Sequence, residues 1–281
     1  MRPPLTLKIH ACFEGWMLRD VLFSYHVAKK WVNHILQIKK IKINQVIARG
    51  DDIVHEGDVM SVDFDDQLPA IPKPYGGLLE VIHEDDDLLI VNKPINLLVY
   101  DDGKKNDSLT ARVSAYMLKN DYPYPVLPAH RIDEETSGIV VFAKHPLALS
   151  YLSSLFEEKT MHKVYHALIN GIVDQQKGTI ARPIGCEKHK NTMCIDAHGD
   201  HAVTHYEVLQ VQDRISRLRI TIETGRKHQI RVHLKSLGYP IIGDKLYLGK
   251  PASRLMLHAR ELAFIHPSSH QLMTWVVPEP F

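Results

Sequence analysis

The stretch HRIDEETSGIVVFAKH, residues 130–145, places a dense group of polar side chains directly before an apolar run. The run GIVVF, residues 138–142, predicts a buried strand. An acid-rich turn before a strand is most often a solvated loop. Asp133 differs from its acidic neighbours because it lies between Ile132 and the small-residue turn at 136–138, which would hold its carboxylate at the edge of the sheet.

Length and composition favour a globular protein with one large domain, or a large domain and a small one. The chain has 281 residues, of which 44% are hydrophobic and 7% aromatic. No apolar run approaches the length that spans a bilayer, and residues 1–20 lack the apolar stretch and cleavage site of a signal peptide. Three cysteines are too few for a disulfide framework. We therefore expect a cytoplasmic protein.

Basic residues concentrate in two stretches, although the formal net charge is only +1. Residues 19–49 contain seven Lys or Arg against one acid, Asp20. Residues 214–260 contain eleven against two, Glu223 and Asp244. Two such stretches in a near-neutral chain indicate two places where a polyanion could be held, whereas either stretch alone would be read as a solvated face.

A linker divides the chain near residue 70. The segment DDQLPAIPKPYGG, residues 65–77, contains three prolines and two glycines. We therefore predict a small domain at 1–66, a linker at 67–77 and a large domain at 78–281.

The small domain begins with two helical patterns and continues with short alternating strands. The apolar positions at helical spacing are Leu18, Val21, Leu22 and Tyr25, then Val32, Ile35 and Leu36. The lysines around the second helix and its exit are Lys29, Lys30, Lys39, Lys40 and Lys42. Together with IKINQVIARGDDIVHEGDVMSV, these features resemble the small α/β RNA-binding domain named after ribosomal protein S-four, with Gln45 in place of a turn glycine. The resemblance implies RNA binding by these lysines.

The large domain interleaves strands and helices without regular βαβ spacing, which favours an α+β fold. Within it, TGRKHQIRVHLKSLG, residues 224–238, predicts a helix. Its apolar stripe is Ile230, Leu234 and Leu237, and its separate basic stripe is Lys227, Arg231 and Lys235. Arg226 and Lys227 would lie in the first turn, where the helix dipole disfavours cations unless an anion docks there. An ordinary amphipathic helix is the alternative.

One pattern has metal-like spacing. Cys186, His189, Cys194 and His198 give C-x2-H-x4-C-x3-H, close to a zinc-knuckle pattern. The chain has 18 histidines, so chance spacings are common, and the surrounding KHKNT is typical of a basic loop. We predict no metal site here.

Four ordered motifs resemble the RluA-type pseudouridine synthases. They are HRIDEETSGIVVFAK, KVYHALING, GRKHQIRVHLKSLGYPIIGDKLYLG and RLMLHARELAFIHP. The resemblance covers residues 78–281 and implies a catalytic domain built on a mixed, largely antiparallel sheet. It implies an isomerase that converts uridine in RNA to pseudouridine without a metal or organic cofactor.

The same resemblance implies roles for individual residues. Asp133 matches the catalytic aspartate, Tyr165 the tyrosine that packs on the target base, and Arg231 the arginine that pairs with the aspartate. Arg131 matches a residue that in some relatives fills the space left by a flipped nucleotide. Taken alone, Tyr165 on its predicted strand would be read as core. We also expect RNA contacts from Arg226, Lys227, His228 and Gln229.

The expected substrate is ribosomal RNA, with transfer RNA as an alternative, and we expect a monomer without membrane attachment. A rival interpretation is a non-catalytic RNA-binding or ribosome-assembly factor with the same fold. A second rival is a nucleoside or glycoside hydrolase, which would need a second carboxylate facing Asp133. Glu134 and Glu135 are adjacent to it, but the sequence supplies no reason for either to face a sugar.

Overall fold

The N-terminal part is a four-stranded antiparallel sheet with two helices. The computed structural model describes residues 2–64, 68–103, 105–187 and 192–281. The elements of this part are β1 (Leu5–Lys8), α1 (Leu18–Ser24), α2 (Lys29–Gln37), β2 (Ile41–Ile43), β3 (Val46–Ile47) and β4 (Val59–Val62), with strand order β1-β4-β2-β3. Both helices bury the apolar positions that the sequence predicts, apart from the half-buried Leu36. Strand β1 was not predicted.

The turn between β2 and β3 forms without a glycine. Ile43 pairs with Val46, and the two residues between them, Asn44 and Gln45, have φ of 49° and 69°. The Asn44 side chain stabilises this left-handed conformation by donating to Asp58 at 2.7 Å and accepting from the Val59 amide at 3.0 Å.

The second part is a large α+β unit. Its helices are α3 (Leu109–Lys119), α4 (Pro146–Glu157) and α5 (Gln229–Ser236). Its strands are β5 (Glu80–Glu84), β6 (Leu88–Lys93), β7 (Leu127–Pro128), β8 (Ser137–Ala143), β9 (His162–Asn170), β10 (Lys177–Ala181), β11 (Ile184–Cys186), β12 (Met193–Ile195), β13 (Val203–Gln212), β14 (Ile215–Ile222), β15 (Leu257–Ile265) and β16 (Leu272–Val276). The sequence did not predict the short or exposed strands β7, β10, β11, β12 and β16.

The main sheet has the order β10-β13-β14-β9-β15-β8-β6-β5, with β16 beside β15 and β7 beside β8. Among the described strands, β8 and β15 form the one parallel pair of this sheet, and its other pairs are antiparallel. The predicted mixed, largely antiparallel sheet is therefore confirmed. None of the described helices is long and apolar enough to cross a membrane.

The parallel pair requires a glycine at the start of β8. Gly138 lies opposite Ala259 with φ of +118°, and a Cβ added there would lie 2.2 Å from the Ala259 carbonyl oxygen. No other residue fits this approach. The close contact fixes β8, and with it the polar loop that precedes it, against the centre of the sheet.

The N-terminal part packs directly on the large unit. Its buried residues form one apolar cluster with residues of β6, β8, α4 and β15. At the contact, the Tyr25 hydroxyl donates to Asp87 Oδ1 at 3.3 Å, and Cys12 Sγ donates to the Ser268 carbonyl at 2.9 Å. The N-terminal part is thus held on the large unit by two polar contacts beside an apolar interface.

Candidate active site

Asp133 lies in the loop that leads into β8, and its side chain is partly exposed. The Thr136 amide donates to its carbonyl at 3.1 Å, which closes the turn predicted by the small residues at 136–138. The carboxylate therefore sits at the mouth of a buried strand, as the sequence predicts, and the backbone around it is fixed.

Lys93, a buried lysine at the end of β6, anchors the same loop from below. Its Nζ donates to the carbonyls of Glu134 at 3.0 Å, Leu97 at 2.7 Å and Pro94 at 2.9 Å. Burial lowers the pKa of Lys93 to about 7. Sequence reasoning missed this residue, although a lysine inside the apolar run LLIVNK is an available signal.

Arg231 lies on α5 with only 1% of its surface exposed and contacts three carboxylates. Its Nε and Nη2 each donate to Asp244 at 2.8 Å, Nη2 also donates to Glu135 at 2.8 Å, and Nη1 lies 3.7 Å from Asp133 Oδ2. Burial alone would lower the pKa of Arg231, but the hydrogen bonds and charge of Asp244, with the charges of Asp133 and Glu135, raise it above its usual value. Arg231 thus remains a cation beside Asp133.

The bidentate partner of Arg231 is Asp244, which the sequence analysis did not identify. Asp244 is fully buried, and its Oδ1 also accepts from the amides of Leu246 and Tyr247 at 3.1 Å. The expected pairing of Arg231 with Asp133 is therefore a longer and looser contact than the one that holds the guanidinium. The sequence feature that could have identified Asp244 is that it is the acid in IIGDKLY, shortly after the helix motif.

Tyr165 lies at the centre of β9, between Ile220 of β14 and Ala259 of β15, with 8% of its surface exposed. Burial raises the pKa of its phenol above the usual value, and the negative charge of Asp133 raises it further. Tyr165 therefore keeps its proton and presents a neutral aromatic ring close to the carboxylate.

Two adjoining cavities open around these residues. The inner one has a volume of 70 Å³ and is lined by Asp133, Tyr165, Ile230 and Leu257 among others. The outer cleft has a volume of 780 Å³. The residues that line both are Arg131, Asp133, His228 and Arg231. Asp133 and Arg231 thus lie at a neck between a small pocket and an open cleft, and Tyr165 lies in the small pocket.

Comparison with known proteins assigns the family. The RNA pseudouridylate synthase family matches residues 87–236. An RNA pseudouridine synthase of Bacillus subtilis named YhcT is 35% identical over 98% of this chain and 94% of its own length. The chain belongs to the RNA pseudouridine synthase family.

Two further relatives place it with the RluA-type enzymes. A dual-specificity RNA pseudouridine synthase RluA of Vibrio cholerae is 37% identical over 72% of this chain and 84% of its own length. A ribosomal large subunit pseudouridine synthase D of Haemophilus ducreyi is 30% identical over 98% of this chain and 91% of its own length. The solved human RNA pseudouridylate synthase domain containing 1 superimposes with a TM-score of 0.62 at 27% identity, covering 73% of this chain and 84% of the human chain.

The start of α5 in this synthase differs from the prediction. The helix begins at Gln229, because His228 has φ of 55° and breaks the helical backbone. Arg226 and Lys227 therefore precede the helix, and the first-turn interpretation was wrong. The predicted basic stripe was also wrong at Arg231, which is buried among carboxylates while Lys235 is exposed.

The predicted RNA-contacting residues near α5 fall into two groups. Arg226 and Lys227 are exposed, and Lys227 and His228 line the outer cleft. The Gln229 side chain is 3% exposed and fully bonded internally: its amide donates to Val203 and Thr204, and its oxygen accepts from Thr224 and the Arg226 amide. Gln229 thus shapes the loop, which corrects its expected role as an RNA contact.

The lysines of the N-terminal part lie away from both cavities. Lys29, Lys30, Lys39 and Lys42 are exposed, and Lys40 is half-buried with its Nζ 3.5 Å from Asp63. They form no part of either cavity lining among the described residues. A role for them in this synthase would be binding at a distance from the reacting uridine.

The two cysteines of the zinc-like pattern lie on different faces of one strand pair. In the β11–β12 hairpin Cys186 pairs with Met193 and Gly185 pairs with Cys194, so the two thiols project from opposite faces. His189 lies outside the described residues. Within the described part of the chain, the one cluster with metal-ligand geometry is Asp85, Asp87 and His266. Its members are already bound to each other and to His83, Tyr25, His145 and Ser268.

Proposed function

We propose that this synthase converts specific uridines of structured RNA to pseudouridine, with Asp133 as the catalytic carboxylate. The observation that carries the proposal is the position of Asp133 at the neck of the cavities, 3.7 Å from a buried arginine. The reaction breaks the bond between ribose and N1 of uracil and joins the ribose to carbon 5 instead. Asp133 acts either by attacking the sugar or the ring, or by removing a sugar proton.

The surrounding residues support this chemistry. Arg231 is held by Asp244 before substrate arrives, so its positive charge lies beside Asp133 without rearrangement. Tyr165 offers a ring on which the extruded base stacks, and stacking offsets part of the cost of removing the base from the RNA. A nucleotide bound in the small inner pocket would displace water from it, which favours re-joining over hydrolysis.

We assign Arg131 to the RNA duplex at the mouth of the site. It is exposed and lines both cavities, so it can enter the space that the flipped nucleotide leaves. Arg226 and Lys227 then bind the RNA phosphate backbone beside Arg131 through electrostatic attraction.

Ribosomal RNA is the substrate that the similarities favour, with transfer RNA second. The relative that modifies the ribosomal large subunit aligns over 98% of this chain, so the similarity includes most of residues 1–66. The dual-specificity relative aligns over 72%. We assign residues 1–66 to an S-four-like RNA-binding domain, 67–77 to the linker and 78–281 to the catalytic domain of a cytoplasmic monomer.

The two acids that follow Asp133 in the sequence are each paired with a cation, which weighs against the hydrolase alternative. Glu135 is bound to Arg231 at 2.8 Å, and Glu134 is bound to Lys105 at 2.7 Å. An inverting or retaining hydrolase needs one carboxyl to protonate the leaving group. Both neighbours of Asp133 are instead neutralised by cations.

A tritium-release assay tests the proposal, because pseudouridine formation expels the hydrogen of uracil carbon 5. Transcripts of large-subunit ribosomal RNA and of transfer RNAs, tritiated at that carbon, are incubated with wild type, Asp133→Asn and the exposed control Asp86→Asn. We expect release by wild type and the control, and none by Asp133→Asn. Carbodiimide labelling with primer extension then identifies the uridine. RNA binding without release by wild type would favour the non-catalytic binding factor.

A further inference from the structure

A buried tyrosine links the arginine cluster to His228. The Tyr247 amide donates to Asp244, and its hydroxyl accepts from the Met193 amide at 3.0 Å. The same hydroxyl lies 2.8 Å from Nδ1 of His228, with the two rings edge to face at 5.6 Å. Asp244 therefore fixes both Arg231 and the residue that holds His228.

These contacts determine which imidazole nitrogen carries the hydrogen. An amide can only donate, so the Tyr247 oxygen accepts from Met193. Burial raises the pKa of the Tyr247 phenol to about 12, so the hydroxyl keeps its proton. A buried hydroxyl needs an acceptor, and the acceptor within reach is His228 Nδ1. The hydrogen of a neutral His228 then resides on Nε2.

The imidazole is neutral for a separate reason. Burial lowers the pKa of His228, although the nearby carboxylates oppose this effect. In the described part of the chain Nε2 makes no hydrogen bond to protein, while Nδ1 is engaged. Neutral His228 thus has one N–H left to offer, and the donors of Arg231 are largely committed to carboxylates.

His228 also occupies the neck of the site. It lines both the inner pocket and the outer cleft, as does Asp133. Its backbone is left-handed, with φ of 55°, a conformation that histidine adopts more often than most residues. The left-handed residue ends the loop, and α5 begins at the next residue, Gln229. The His228 ring therefore lies at the junction of the loop and the helix.

We propose that His228 donates its Nε2 hydrogen to a carbonyl oxygen of the target uracil, and that Tyr247 is the positioning residue that holds the imidazole in this tautomer. The proposal rests on the proposed function. Uracil released from ribose is an anion whose charge spreads onto its carbonyl oxygens. A fixed neutral donor at this position binds that anion better than neutral uracil, so it lowers the barrier to detachment. The hydrogen stays on Nε2, and no proton is transferred.

The test compares two substitutions of similar length at the same position. His228→Gln keeps an N–H at about the same reach, and His228→Met removes it. With a transcript that wild type modifies, kcat, KM and RNA affinity are measured by tritium release and filter binding. We expect kcat to fall about 100-fold in His228→Met. In His228→Gln we expect kcat to fall by about tenfold at most. RNA affinity should remain within about twofold of wild type, because the donor acts on the anion rather than on bound RNA.

Tyr247→Phe tests the tautomer independently, since it removes only the hydroxyl. We expect roughly a tenfold loss of kcat, and no additional loss when Tyr247→Phe is placed in the His228→Met background. Equal kcat in the Gln and Met variants, or additive losses in the double variant, would overturn the proposal. An inactive wild type on every transcript would instead contradict the proposed function itself.

Discussion

Asp244 holds Arg231 through two hydrogen bonds of 2.8 Å, and this pair is buried beneath the proposed catalytic carboxylate. Asp133 approaches the remaining nitrogen of the guanidinium at 3.7 Å and stays partly exposed. The cluster therefore separates two tasks. Asp244 and Glu135 neutralise and orient the arginine, and Asp133 remains accessible to substrate.

Removing the charge of Asp244 should destabilise the fold. Asp244→Asn leaves a buried guanidinium without its bidentate partner, and we expect the free energy of unfolding to fall by about 3–5 kcal/mol. Urea denaturation measures the change. The matched control is Glu134→Gln, which breaks the exposed pair with Lys105 and should shift the midpoint little. Equal midpoints for Asp244→Asn and wild type would show that the buried pair is dispensable.

Replacing the guanidinium by an ammonium should impair catalysis more than binding. Arg231→Lys keeps the positive charge but cannot bridge Asp244, Glu135 and Asp133 in one plane. We expect kcat to fall by roughly 100-fold from misplaced charge, with RNA affinity near that of wild type. Tritium release and filter binding separate the two effects. A loss confined to RNA affinity would assign Arg231 to substrate binding instead.

Stability should decline in mild acid partly because of His258. Its side chain is buried, Nδ1 contacts the Ser137 hydroxyl at 2.8 Å, and burial lowers its pKa to about 4. Between pH 6.5 and about 4 the unfolded chain binds a proton at this histidine that the folded chain does not. The free energy of unfolding therefore falls as the pH falls through this window. Above the window the contribution of neutral His258 is fully present.

The corresponding measurement compares wild type with His258→Gln by urea denaturation at several pH values. In the variant, the pH dependence near pH 5 should be shallower by up to about 1.4 kcal/mol per pH unit. Parallel stability curves for the two proteins over this range would refute the assignment.

The lysines of the N-terminal part should contribute affinity but not chemistry. A triple Lys→Gln variant at Lys29, Lys30 and Lys42 should weaken RNA binding, with kcat unchanged. The slope of the logarithm of the RNA affinity against the logarithm of the salt concentration should decrease as expected for the loss of up to about three phosphate contacts. The control is the same substitution at three exposed lysines elsewhere, Lys73, Lys119 and Lys159. Equal affinity and salt slope in the two variants would remove the N-terminal lysines from the RNA interface.

The sequence alone was sufficient for the features that depend on local pattern. A contiguous apolar run located β8, and apolar residues at helical spacing located α1 and α2, since each element buries the residues that its own sequence marks. The small-residue turn before β8 singled out Asp133 as a carboxylate at the edge of the sheet, whereas its catalytic role was implied only by the resemblance to RluA-type synthases.

The tertiary structure decided which side chains meet. Asp244 and Arg231 are 13 residues apart and Lys93 and Glu134 are 41 apart, and no local pattern predicts that such groups share a buried contact. The left-handed backbone at His228 likewise moved the start of α5, so that Lys227 precedes the helix, and of the predicted basic stripe Arg231 is buried while Lys235 is exposed. Burial gives these polar groups their partners, because a charge removed from water must find an opposite charge or a hydrogen bond wherever the chain brings one.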